Sequence, residues 1–208
     1  MAAGLLLHGC AVTALLDDPI TARAGRSGLV VAAPHATDDT GTGPIAEAIA
    51  QRTGFGLVIA RGAAMEAAGR GRPAEAAYRR QVRAAAQGPL DVYAEIHGSD
   101  RPETAARIEI ATAGVDRELA LRLRALAELV RDAHLRAHPE VVRLDIAVEP
   151  ADPVFAAAAD AGRDGSLTLA RLGLHIALPR AARLELTGVY TAVLADFLLQ
   201  AVLLPRGR

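Results

Sequence analysis

Apolar runs of strand length alternate with amphipathic helical patterns from Gly28 onward, and few folds satisfy both. Six segments carry the strand pattern: GLVVAAPH (28–35), GFGLVIARG (54–62), LDVYAEIHG (90–98), AARIEIATAG (105–114), RLDIAVEP (143–150) and GLHIALP (173–179). Several are apolar almost without interruption, as strands covered on both faces must be. Between them, GPIAEAIAQRTG has Pro44 near a helix start and Gly54 at its stop, the usual asymmetry of helix punctuation. PAEAAYRRQVRAAAQG (73–88) follows the same scheme. The stretch 116–139 repeats Leu at helical spacing opposite an arginine-rich, solvated face. TGVYTAVLADFLLQAVLL (187–204) is a strongly apolar closing helix that could pack on the sheet or join an interface. This alternation predicts one α/β domain, a three-layer α/β/α sandwich with a mostly parallel mixed sheet. Residues 1–27 are expected as an N-terminal segment, 28–204 as the core, and Glu149 to Gly165 as a long loop.

The core must be aliphatic, because 51% of the 208 residues are hydrophobic while only 3% are aromatic and Trp is absent. Such apolar content excludes a disordered chain. With 23 basic and 24 acidic residues the formal charge is −1, which gives no footprint for nucleic acid. Every basic residue is Arg, so lysine-based Schiff-base chemistry is excluded. Cys10 is alone, which rules out an internal disulfide and a cysteine-rich zinc site. The opening MAAGLLLHGCAVTALLDD lacks a basic leader, and Asp17 and Asp18 interrupt it. No run approaches the roughly 20 apolar residues of a membrane span. A cytoplasmic protein without membrane or nucleic-acid partners is expected.

In open α/β sheets, ligands gather beyond the carboxyl ends of the strands. His35 ends the first apolar run and His97 ends the third, so both imidazoles can reach one rim. His35 and Asp38 are three apart in APHATDD, a spacing that lets one loop offer two metal ligands, with His97 as a third. Catalytic zinc needs three protein ligands and one open position. Asp39 rivals Asp38, and both could instead be turn formers or a helix cap.

APHATDD, VYAEIHG and a late strand running into a Glu- and Arg-bearing segment together resemble the zinc carboxypeptidase superfamily. The likeness is greatest to its N-formylglutamate amidohydrolase and poly-γ-glutamate hydrolase branches, over roughly Gly28 to Phe197. The resemblance implies one zinc ion held by His35, Asp38 and His97. It also implies hydrolysis of an amide in a small or short peptide substrate carrying a carboxylate. In that family the late strand bears a catalytic glutamate, and the corresponding position here is Ala177. Glu185, in RLELTGVY, echoes a Glu preceding Gly-x-Tyr and is the candidate base; the alternative is a binding protein that lost its base at Ala177. GRGRPAEAAYRR resembles an Asn-Arg-Pro stretch without the asparagine, which makes Arg72 the candidate grip on a substrate carboxylate, with Arg107 and Arg180 as further cations.

Other residues have plainer explanations. His134 and His138 lie four apart without the adjacent glutamate of the metalloprotease motif, and suit a helix end. His175 lies inside an apolar strand, as a core histidine or as support for the site. Glu95 and Glu109 alternate within strands, facing either solvent or the site's surroundings. TGTG is a turn that matches no phosphate-loop fingerprint.

Overall fold

The computed structural model describes residues 20–61, 73–155 and 165–204. Its strands are β1 (Ile20–Arg23), β2 (Arg26–Ala33), β3 (Phe55–Ala60), β4 (Val92–Ser99), β5 (Arg107–Ala113), β6 (Asp145–Val148) and β7 (Leu172–Pro179). Its helices are α1 (Thr42–Thr53), α2 (Pro73–Ala86), α3 (Arg117–Arg136), α4 (Arg180–Arg183) and α5 (Thr187–Ala201). The strands form one sheet in the order β1-β3-β2-β4-β7-β5-β6. β3, β2, β4 and β7 run parallel. β5 and β6 are parallel to each other, but β5 is antiparallel to β7. β1 pairs antiparallel with β3 at the edge. The expected mostly parallel mixed sheet is therefore present, and it also recruits Ile20–Arg23 from the stretch left outside the core. That edge strand is four residues, ITAR, too short and too polar to announce itself.

Each central strand alternates between two cores. Leu29, Val31 and Ala33 join Val92, Ala94 and Ile96 beneath α1, α3 and α5. Val30, Ala32, Val58 and Tyr93 face α2. Burial on both faces is why these runs read as continuous rather than alternating. α5 carries Tyr190, Leu194, Phe197 and Leu198 into the first core, and its Tyr190 hydroxyl bridges the backbone of Val142 and Leu144. The closing helix therefore packs on the sheet. Ile96 is fully buried, and its truncation to Ala would cost roughly 2–5 kcal/mol. No helix among the described residues is long and apolar enough to cross a membrane.

The two faces are unequally covered, and this positions the site. Among the described residues, α2 packs on the β1, β3 and β2 side of its face. The carboxyl ends of β4 and β7 on that same face carry polar side chains instead. α1 is preceded by Gly41, in a left-handed conformation with φ of 92°, and no side chain caps the helix, so neither aspartate is spent there. A Cβ on Gly41 would lie 2.9 Å from the Arg183 carbonyl oxygen, so the turn and α4 touch closely.

Candidate metal centre

Three successive rows of side chains on one sheet face build the site. The lowest aligns Tyr93 with Gly173 and Ala113. The next aligns Glu95 with His175 and Ala111, and the highest aligns His97 with Ala177 and Glu109. Residues two apart on a strand share a face, so Tyr93, Glu95 and His97 point the same way. Their hydroxyl, carboxylate and imidazole form a chain. Tyr78 and Tyr93 share a hydrogen bond of 2.9 Å between hydroxyls. Tyr93 donates to Glu95 Oε1 at 2.7 Å, and Glu95 Oε2 lies 3.2 Å from His97 Nε2. Burial, reinforced by the Glu95 charge, holds both phenols well above their ordinary pKa, so they remain donors.

The loop after β2 supplies the opposite wall. Asp38 N–H and Asp39 N–H both donate to the His35 carbonyl, at 3.1 and 2.8 Å, folding the aspartates back toward the histidine. Asp39 Oδ2 accepts from Gly98 N–H at 2.9 Å and sits 3.6 Å from His97 Nδ1. Asp38 is more exposed and lines the same cavity. Neither aspartate caps α1. The His35 and His97 rings lie 5.5 Å apart, and His97 stacks on His175 at 3.9 Å. A cavity of about 310 Å³ opens there, lined by His35, both aspartates, His97, His175, Ala177 and Glu109, with Arg101 and Phe155 at its edge.

Electrostatics favour positive charge in this place. Burial depresses the pKa of His97, but hydrogen bonds to Asp39 and Glu95 outweigh it and lift the value to about 9. Burial opposes ionisation of Asp39, and the His97 and Gly98 contacts overcome that to hold it below the ordinary range. His175 is kept neutral by burial and by the neighbouring imidazoles. Its Nδ1 is buried without a hydrogen-bond partner. An unpartnered buried nitrogen beside two imidazoles and several carboxylates is the donor chemistry of a divalent metal.

The donor atoms can be sorted. Glu95, His97 and His175 each bring one ligand atom within 4.8 Å of the others. Both Glu95 oxygens are engaged, however, one by Tyr93 and one by His97. That is the arrangement of a carboxylate that orients a ligand histidine. The other ring nitrogen, Nδ1, faces the cavity-lining Asp39. Ligands 2.0–2.2 Å from a tetrahedral zinc are separated by roughly 3.3–3.6 Å, and the 3.6 Å between His97 Nδ1 and Asp39 Oδ2 fits such a pair. That pair fits a metal, and two further imidazoles stand beside it: His175 with its unpartnered Nδ1, and His35 with its ring 5.5 Å from that of His97.

The remaining sequence candidates fall elsewhere. Glu185 does not line this cavity. It borders an adjoining one of about 630 Å³ with Arg180, Leu186 and Val142, is 59% exposed in its side chain, and lies 3.9 Å from Arg180. The two cavities share Ser99 and Arg101. Arg72 lies outside the described residues. Arg107 pairs with Glu109 on β5. His134 and His138 face separate carboxylates, Asp196 at 2.8 Å and Glu140 at 3.5 Å, rather than a common centre. Glu95 and His175 stand two residues before His97 and Ala177 on their own strands, and that period-two spacing was the available signal; Glu109 reaches the cavity only through the pairing of β5 with β7, which no local pattern announces.

Two solved structures share this fold. A bacteriophage poly-γ-glutamate hydrolase superposes with a TM-score of 0.50 at 12% identity, covering 89% of each chain. YndL in a zinc-free form gives 0.52 at 14% identity, covering 88% of this chain and 92% of its own. At such identities the likeness is one of fold. No protein-family model and no curated protein matches the chain.

Proposed function

We propose that this protein is a zinc-dependent hydrolase that cleaves an amide bond in a small or short peptide substrate. The observation that supports it most is the convergence at one cavity of His35, from the turn after β2, and His97, from β4, with Asp38 and Asp39 beside them. His35, His97 and an aspartate would hold one ion. The 3.6 Å contact favours Asp39, while the resemblance noted in the sequence favours Asp38. When bound, zinc supplies an activated water and polarises the substrate carbonyl.

The chain's own residues do the rest. Glu95 holds the outer nitrogen of His97 and is itself held by Tyr93, so the ring keeps one orientation. Arg101, whose guanidinium lies 5.0 Å from the centre of the Phe155 ring, is the cationic side chain besides histidine among the described lining residues. A guanidinium grips a carboxylate by paired hydrogen bonds, which favours substrates bearing one. Arg72 remains a second candidate for that role.

Zinc content and hydrolysis test this together. Protein stripped with chelator and reloaded should bind zinc and release free amine from N-formyl-L-glutamate or poly-γ-glutamate. His97→Ala should lose zinc by more than about tenfold in affinity, as removal of one ligand requires. Comparing Asp38→Asn with Asp39→Asn identifies the ligating carboxylate. Absence of zinc binding refutes the proposal. Zinc binding without turnover of any acyl-amino acid leaves a metal-binding protein that has lost its chemistry.

A further inference from the structure

We infer that Glu109 is the proton carrier of this site, reaching across Ala177 from the neighbouring strand. The inference rests on the hydrolase function proposed above. Amide hydrolysis needs a carboxylate that takes a proton from water and returns it to the leaving nitrogen. That carboxylate must face the ion without being consumed in holding it. Among the described lining residues, the carboxylates are Asp38, Asp39 and Glu109. The aspartates lie in the His35 loop, and Asp39 is already bound to Gly98 and His97. Glu109 comes from the far wall.

The sheet register explains the placement. His97, Ala177 and Glu109 are level with one another across β4, β7 and β5, and so project from the same face. Adjacent strands are roughly 4.8 Å apart, which puts the backbones of residues 97 and 109 roughly 10 Å apart. At their level β7 presents the methyl of Ala177, 7% exposed and part of the cavity lining. Glu109 is 2% exposed overall and is pinned by its ion pair with Arg107 two residues earlier. A carboxylate absent from β7 is therefore present one strand over, at the same level of the sheet. Glu185, by contrast, opens onto the adjoining cavity.

The step balances without a further reactant. Glu109 takes one proton from the attacking water, whose oxygen bonds to the carbonyl carbon. The carbon–nitrogen bond breaks, and the same proton passes from Glu109 to the leaving nitrogen. Water is consumed, a carboxylic acid and an amine are released, and the Glu109 carboxylate is regenerated.

The test compares zinc-loaded wild type, Glu109→Gln, Glu185→Gln, Glu109→Ala and the double variant Glu109→Ala/Ala177→Glu. Zinc content, acetohydroxamate affinity by calorimetry and amide hydrolysis are measured for each. Glu109→Gln should keep its zinc and lose about 100-fold or more in kcat. Its acetohydroxamate affinity should fall at least about tenfold, since one charge-assisted hydrogen bond is gone. The double variant, which moves the carboxylate back to β7, should recover at least about tenfold in activity over Glu109→Ala. Glu109→Gln that keeps both turnover and hydroxamate affinity overturns the inference. So does loss of zinc in that variant, which would make Glu109 a ligand, or loss of activity confined to Glu185→Gln. If wild type binds zinc but cleaves no amide, the hydrolase function fails, and the hydroxamate measurement still decides whether Glu109 faces the ion.

Discussion

Replacing Arg183 by Ala should both destabilise the fold and loosen the metal centre. This arginine is 3% exposed and ties together the segments that carry the site. Nε donates to the Leu178 carbonyl at 3.2 Å, at the end of β7. Nη1 donates to the Thr40 carbonyl at 2.6 Å, just past the aspartate pair. Nη2 reaches the Asp100 carboxylate beyond β4. A Cβ on Gly98 would lie 2.9 Å from the guanidinium carbon, so the guanidinium rests directly against the Gly98 backbone.

The magnitude follows from how exposed each partner is. The Asp100 side chain is 72% exposed, so that ion pair contributes only about 0–1 kcal/mol. Two hydrogen bonds from a charged donor to carbonyls contribute about 1.5–3 kcal/mol each. Relief of the buried charge offsets part of this, leaving a net loss of roughly 2–4 kcal/mol. Urea unfolding followed by circular dichroism measures that loss. Zinc affinity should fall about 10–100-fold, because the His35–Asp39 loop is no longer held against β4. Lys supplies one charged point where three segments need donors, so Arg183→Lys should recover less than half of the lost stability. A loss under about 1 kcal/mol, or full recovery by Lys, would refute the reasoning.

Tyr93→Phe should cost about 1–3 kcal/mol, because it strands the buried Glu95 oxygen and the Tyr78 hydroxyl. Adding Tyr78→Phe should cost less than a second equal increment, and additive losses in thermal or urea unfolding would contradict a shared chain. Asp132 should titrate near pH 2, because hydrogen bonds from Arg131 and Arg143 hold its carboxylate far below the ordinary value, at about 2. Its folded pKa is depressed, so its contribution to stability is complete above about pH 4 and is lost as pH falls through about 2. Carboxyl chemical shifts followed by NMR measure the midpoint, and one near 3.8 would contradict the pairing.

The core of the sheet was legible because burial on both faces leaves a mark in each central strand, whereas the exposed edge strand β1 carries none. Val30 and Val31 face opposite cores, so neither position tolerates a polar residue and the run becomes continuous. Helix limits at Gly54 and Pro73 were legible because backbone freedom and a missing N–H are local properties. His97 was legible as a residue near a strand end, while His35, read as the end of its strand, lies in the turn two residues past β2.

What the sequence determined by itself is therefore the layer order, the strand ends and the residue types offered at the rim. Which residues meet there was decided only by tertiary structure. Strand order and direction are set by pairing between segments far apart in the chain, and no local pattern records them. β7 inserts between β4 and β5, and β5 runs antiparallel to it. Those two choices set Glu109 opposite Ala177 and His175 against His97, while Glu185, eight residues past Ala177 along the chain, opens onto a different cavity. Side chains of residues adjacent in sequence diverge once a strand turns into a helix. Those on neighbouring strands stay within reach, because hydrogen bonding fixes their spacing.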